Sequence, residues 1–278
     1  MTVRIVTDST CDLPAEVISR LRIYVLPLYI NVGSESFLDG VDITREEFYH
    51  KLPSFRDQPT TAVPSPQKFR AIYNALADEG ATEVLSIHIS QTLSGIYDVA
   101  RVAARETTSV PVTVFDSRQL SLGTGFLVQT AAELAQAGMT VAEILPRLEA
   151  QIKRTHVGAA LDTLEFLRRS GRMNAALSTI GELLQLKPIL KMFDGQSGVE
   201  RVRTRKNALK RLEEMVRTFA PFEKIAFLHS NAAELAHDLM NEVKEILPDI
   251  DIWCEQVNPV LGAHLGPGVV GFACVSRE

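Results

Sequence analysis

Apolar residues in the first half of the chain switch repeatedly between two spacings. Val3–Thr7, Tyr24–Val32, Glu83–Ile89 and Val112–Asp116 are short runs rich in aliphatic and β-branched side chains, the pattern of buried strands. Between them the apolar positions recur at helical spacing behind recognisable helix starts. Thr44-x-x-Glu47 and Thr140-x-x-Glu143 are capping boxes. Ser65-Pro66 is an N-cap followed by a proline at the first helical position. Behind it Phe69, Ile72, Tyr73 and Leu76 fall at i, i+3, i+4 and i+7 of one face. Ala131, Leu134 and Ala135 stop before Gly138, a helix-ending glycine. This alternation predicts a mostly parallel, doubly wound sheet with helices on both faces.

The second half has a different rhythm. Pro188–Phe193 and Val199–Arg203 flank Asp194-Gly195-Gln196-Ser197-Gly198, a hairpin signal. A helix follows over Asn207–Phe219, with Leu209, Leu212, Met215 and Val216 on one face. Then come a strand at Ile225–Leu228, a helix opened by Asn231-x-x-Glu234, and strands near Ile250–Cys254 and Val269–Val275. A hairpin mixed with βα units implies a mixed sheet with helices. The chain is therefore expected to form two α/β domains, residues 1–160 and 161–278.

Composition narrows the function. At 278 residues and 46% hydrophobic the chain can bury a sizeable core, and a net charge of -5 argues against nucleic acid or anionic membrane as a partner. Cys11, Cys254 and Cys274 are too far apart for a disulfide framework or a metal knuckle, which fits a cytoplasmic protein. No run reaches the length of a membrane span, and the amino-terminal run lacks the apolar core of a signal peptide, so no integral membrane association is expected. There is no G-x-x-x-x-G-K-[ST], hence no recognisable ATP site. Gly266-Pro267-Gly268-Val269-Val270-Gly271 matches G-x-G-x-x-G, but a strand-like run follows it in place of a helix, and it reads as a turn into the last strand. No histidines stand at zinc-protease spacing, so neither metal nor cofactor is expected.

The candidate chemistry lies in hydroxyl-rich turns. Ser90-Gln91-Thr92-Leu93-Ser94-Gly95-Ile96-Tyr97 joins a buried strand to an apolar-periodic helix, where free backbone N–H groups and the helix dipole favour an anion. Thr60-Thr61 stands before the next marked helix start, and the two turns point to one small anionic group held by neutral donors. His88 alternates inside a strand and reads as structural. His264, in the Gly262–Gly268 stretch that reads as a loop with little side-chain bulk, reads as functional. Ser94, Asp116 and His264 follow the chain order of an α/β-hydrolase triad, so a serine hydrolase of acyl esters is the alternative. Thr92-Leu93-Ser94-Gly95-Ile96, however, lacks both outer glycines of a nucleophile elbow. Arg172 and Arg203 belong to basic clusters, Arg168–Arg172 and Arg201–Lys206, suited to a ligand or partner carrying phosphate.

Several of these stretches, in order, resemble the DegV family: Thr7-Asp8-Ser9-Thr10-Cys11-Asp12-Leu13-Pro14, Pro59–Pro66, Ser90–Tyr97, Asp162–Arg168 with Gly171-Arg172, Leu186-Lys187-Pro188-Ile189-Leu190, and His264–Gly268. The resemblance implies a long-chain fatty acid held between two α/β domains. It also implies a lipid-carrying role without an enzymatic site of its own, beside a separate ATP-dependent kinase subunit that phosphorylates the bound carboxylate. On matched motifs it places the carboxylate at Thr61 and Ser94, with Gly95 and His264 nearby. The family pattern usually reads Thr-Ser-Gln-Pro-Ser where this chain has Thr61-Ala62-Val63-Pro64-Ser65.

Overall fold

Val3–Asp8 (β1), Tyr24–Leu26 (β2), Glu83–His88 (β6) and Val112–Asp116 (β7) form a four-stranded parallel sheet in the order β2-β1-β6-β7. The structure, a computed structural model, describes residues 2–172 and 187–277; Leu186 lies outside them. The near-continuous aliphatic character of β1 and β6 follows from helices covering the sheet. Pro66–Asp78 (α3) packs on Ile96–Glu106 (α4), while Ser121–Gln136 (α5) packs on Ala15–Leu21 (α1) and Val141–Ile152 (α6). Phe69, Ile72, Tyr73 and Leu76 are all buried, as their spacing requires. Both capping boxes form, at Arg45–Lys51 (α2) and at α6.

Tyr24–Val32 is two strands. Pro27 has no N–H to continue the ladder, and the chain leaves the parallel sheet there. Tyr29–Val32 (β3) then pairs antiparallel with Glu35–Leu38 (β4) and Thr60–Ala62 (β5) in a small third sheet. Ser65 occupies the N-cap of α3, but its side chain makes no capping bond.

Thr155–Ala160 (β8) lies within residues 1–160 yet belongs to a six-stranded mixed sheet ordered β10-β9-β8-β13-β11-β12. Its other strands are Lys187–Phe193 (β9), Gln196–Val202 (β10), Phe222–His229 (β11), Trp253–Gln256 (β12) and Val270–Ser276 (β13). Only β11 and β12 pair in parallel. The hairpin turn is Asp194-Gly195 alone, both at positive φ (44° and 76°), so β10 starts at Gln196, ahead of the expected Val199. Arg205–Phe219 (α8) is capped by Thr204. Ala233–Glu242 (α9) has Ala232 at its N-cap; Asn231 takes φ 52° and does not cap it. Glycine matters on β8: a Cβ on Gly158 would stand 2.8 Å from Phe272, which packs there from β13.

Asp12 ties distant segments together. It is fully buried at φ 55°, and its Oδ1 accepts hydrogen bonds from Asn258 N and Nδ2, both at 2.9 Å. Its Oδ2 accepts from Ser121 Oγ at 2.5 Å, and Arg45 Nη2 lies 3.4 Å from Oδ1. Asn258 in turn caps Pro259–Leu265 (α10) by accepting from Leu261 N. Replacing Asp12 with alanine strands the buried Asn258 amides and leaves Arg45 only Glu255 and the Gln256 carbonyl. Chemical denaturation should show a loss of about 3–5 kcal/mol; a loss near zero would show that the segments hold without it.

Candidate functional site

The parallel sheet changes direction between β1 and β6: the chain passes from β1 to β2 on one side and resumes with β6 on the other. The crevice beyond the carboxyl ends of such neighbours is the usual ligand site of an open α/β sheet. A cavity opens there, with about 1120 Å³ of empty space including its mouth. Thr10 follows β1 at its rim, and Ile89, Leu93 and Ser94 follow β6. The opposite wall comes from the second sheet, whose alternation turns Val157 and Ala159 of β8 and Leu190 and Met192 of β9 toward the cavity. Leu28, Leu120, Val260 and Leu261 add to a lining that is mostly apolar.

The polar residues gather within it. Thr61 is on β5 and His264 on α10, and Thr61 Oγ1 lies 2.9 Å from His264 Nε2. His264 is thus on a helix, not in a loop. Asn258-Pro259 starts that helix with a cap and a first-position proline, and Gly266, at φ 76°, ends it. The helix sits close to α2 because position 262 is glycine; a Cβ there would stand 2.5 Å from Tyr49 Oη. Gly266 leaves room for Phe166 of Glu165–Arg169 (α7), whose ring would lie 2.4 Å from a Cβ. That packing brings the segment after α7 to the cavity, and Arg172 lines it. His264 Nδ1 is buried without a hydrogen-bond partner among the described residues. Burial, with the Arg172 charge second, pushes the imidazole down to about 4.

Ser94 also lines the cavity, and its Oγ accepts from Ile96 N at 3.3 Å, capping the first turn of α4. Gly95 is the exposed N-cap of α4, next to Ser94 but outside the cavity lining. Arg203 is exposed near the end of β10, also outside the lining. The structure brings together Thr61, Ser94, His264 and Arg172 and leaves Gly95 and Arg203 at a remove.

The hydrolase arrangement does not form. Asp116 Oδ1 accepts from Gln91 N and Arg118 N, and the His264 nitrogen that an aspartate would orient has no partner among the described residues. Asp116 instead braces the Ser90–Gly95 turn. Arg118 continues that brace to the hairpin by pairing with Asp194 at 2.9 Å and accepting from Gly195 N.

One polar group escaped the sequence reading. Thr10 is buried, yet it lines the cavity, and its Oγ1 donates to Asp8 Oδ1 at 2.5 Å. Asp8 Oδ2 accepts from Ile89 N and faces His88 Nδ1 at 2.9 Å; His88 Nε2 lies 2.7 Å from Ser86 Oγ, to which Tyr73 Oη donates. Asp8, Ser86 and His88 are entirely buried. Burial raises the Asp8 carboxyl, but the His88 hydrogen bond and charge and the two Thr10 donations outweigh it and hold it below its ordinary value. Among the described residues no cluster of three or more metal-ligating side chains is present, and no helix is long and apolar enough to cross a membrane.

A family model described as "Uncharacterised protein, DegV family" matches residues 2–277. A DegV domain-containing protein of Streptomyces coelicolor is 38% identical, with 99% of each chain covered. Among solved structures, a fatty-acid-binding DegV family protein from Thermus thermophilus aligns over 100% of both chains with a TM-score of 0.90 and 36% identity. DegV of Bacillus subtilis, described as a fatty acid binding protein, aligns over 100% of both chains with a TM-score of 0.92 and 30% identity. The chain belongs to the DegV family.

Because the folded His264 takes a proton only near pH 4, the unfolded chain protonates it first as pH falls through about 6.5. Its contribution to the stability of the ligand-free protein should therefore fall between about pH 6.5 and 4. Subtracting the pH–stability profile of His264→Gln from that of the wild type isolates the effect; a flat difference across this window would contradict the burial of a neutral imidazole.

Proposed function

We propose that this DegV-family chain binds one long-chain fatty acid and presents its carboxylate to an ATP-dependent kinase subunit that forms the acyl phosphate. The observation that carries the reading is a single cavity with apolar walls from both large sheets and a few polar side chains, Thr61, Ser94 and His264, that come from separate elements. A metal, a bidentate arginine clamp or an activated serine would imply other chemistry. Hydroxyls and an imidazole hold a carboxylate while leaving it nucleophilic. The fatty-acid-binding relatives from Thermus thermophilus and Bacillus subtilis share the whole fold, which supports the same ligand class here. The chain has no ATP-binding motif, so the phosphoryl donor comes from a partner. Arg172 at the cavity and Arg203, exposed just past the end of β10, are assigned to that partner or to the transferring phosphate.

Burying a chain of ten or more CH₂ groups at roughly 0.8 kcal/mol each makes loss of the lipid slow. Native mass spectrometry of the purified protein should show a bound fatty acid, and a delipidated sample that takes up no acid from C14 to C20 would sink the reading. Thr61→Ala and Ser94→Ala should each weaken binding by about 1.5–3 kcal/mol while the fold persists. Unchanged affinity in both would place the head group elsewhere.

Loss of Arg172 or Arg203 should act on a later step. In at least one of the alanine variants lipid exchange should stay near normal while acyl-phosphate formation, with kinase and ATP supplied, drops sharply. Full phosphorylation in both variants would return these arginines to ordinary surface charge.

A further inference from the structure

The hydroxyl of Thr10 differs from the other hydroxyls of the cavity in the direction it can donate. Asp8 Oδ1 receives Thr10 N at 3.0 Å and Thr10 Oγ1 at 2.5 Å, and its Oδ2 receives Ile89 N and His88 Nδ1. Four donors converge on two oxygens, which identifies Asp8 as an ionised carboxylate. Tyr73 donates to Ser86; Ser86 can then donate to His88 Nε2, leaving the His88 proton on Nδ1, toward Asp8. The chain is satisfied throughout, with the Asp8 carboxylate at its end. The single Thr10 hydroxyl proton is committed to Asp8, so the hydroxyl of this cavity-lining residue has no proton left for a ligand and can only accept.

A carboxylate anion arriving there meets an acceptor, with a second carboxylate one hydroxyl behind it. Two hydrogen bonds in series set the facing oxygens about 5 Å apart or less. Like charges at that range in a buried site disfavour double ionisation and favour one shared proton. We propose that the fatty acid is bound together with one proton, held between its carboxyl and Asp8 through the Thr10 hydroxyl.

The inference rests on the fatty-acid reading above and adds a positioning role for Thr10 and Asp8. The transfer balances within the site. The acid's O–H bond breaks as its proton bonds to Thr10 Oγ1, while the original Thr10 proton bonds to Asp8 Oδ1. Thr10 then donates to the ligand, which is now the carboxylate that an acyl phosphate requires, and the combined charge of ligand and Asp8 is unchanged. Other ionisable groups around Asp8 are His88 on β6, Cys11 and Asp12 in its own turn, Asp39 after β4, and Arg45 on α2, which Asp12 matches. Tyr73 of α3 reaches it through Ser86. His264, Arg172 and Lys191, the last paired with Glu200, line the cavity.

The test is calorimetric titration of the delipidated protein with myristate at pH 8, in phosphate and in Tris, whose ionisation heats differ. Wild type should take up about one proton per myristate, and its Kd should weaken about tenfold per pH unit above pH 8. Thr10→Val should bind with no uptake, whereas Thr10→Ser should restore it. Asp39→Asn should keep uptake at about one. Binding by wild type without uptake overturns the proposal, as does equal uptake in Thr10→Val or its loss in Asp39→Asn. Failure of wild type to bind myristate or any C14–C20 acid would instead overturn the fatty-acid reading.

Discussion

The constraint on which the site depends is the buried carboxylate of Asp12. It is reached by Asn258 at the start of α10, Ser121 at the start of α5 and Arg45 at the start of α2. These three helix starts come from separate parts of the chain, and one acceptor fixes them all. Taking such a charge out of water is costly unless its partners are complete, so the arrangement tolerates little drift. His264 stands six residues beyond Asn258 on α10, and its 2.9 Å approach to Thr61 therefore inherits the placement set by Asp12. Close packing tightens the same joint. Gly262 lets α10 settle against Tyr49, and Gly266 lets α7 settle against the end of α10.

What could be read in the sequence was local. The α3 face and both capping boxes depend on residues within one or two turns of each other, and all of them form. Errors arose where a local signal was overlooked or where tertiary context decided. Asn258-Pro259 is the same kind of helix start as Ser65-Pro66, yet the glycines around His264 masked it. Once formed, that helix positions His264 far more rigidly than a loop. Pro27 likewise marked the break that sends β3 into another sheet. Asn231 looked like a cap but takes a left-handed backbone instead. The Thr10–Asp8–His88 chain lay beyond such reading, because Asp8 and His88 are 80 residues apart. They meet only because β1 and β6 pair in a register that ends both strands side by side.

That register also explains why the polar end of the cavity lies where it does. A parallel pair at a switch point presents two strand ends with free turns, and here each turn is rich in hydroxyls. The first turn is tied inward, Thr10 to Asp8. The second is tied sideways: Gln91 N to Asp116, and Thr92 Oγ1 to Gly195 O at 3.3 Å. The second tie crosses to the hairpin of the other sheet, whose strands β9 and β10 supply Leu190, Met192 and Ser197 to the cavity. The head-group turn and the apolar wall are thereby held by one set of contacts, so the two ends of a ligand are not positioned independently.

Ala62 and Val63 bear on the same balance. Both line the cavity beside Thr61. Methyl groups there neither donate nor need partners, so they remove the cost of burying polar groups that a ligand leaves unpaired. The polar part of the lining then rests on Thr10, Thr61, Ser94, Arg172, Lys191, Ser197 and His264. A binding site with so few polar atoms gains most of its affinity from the apolar walls and uses the polar atoms to fix orientation.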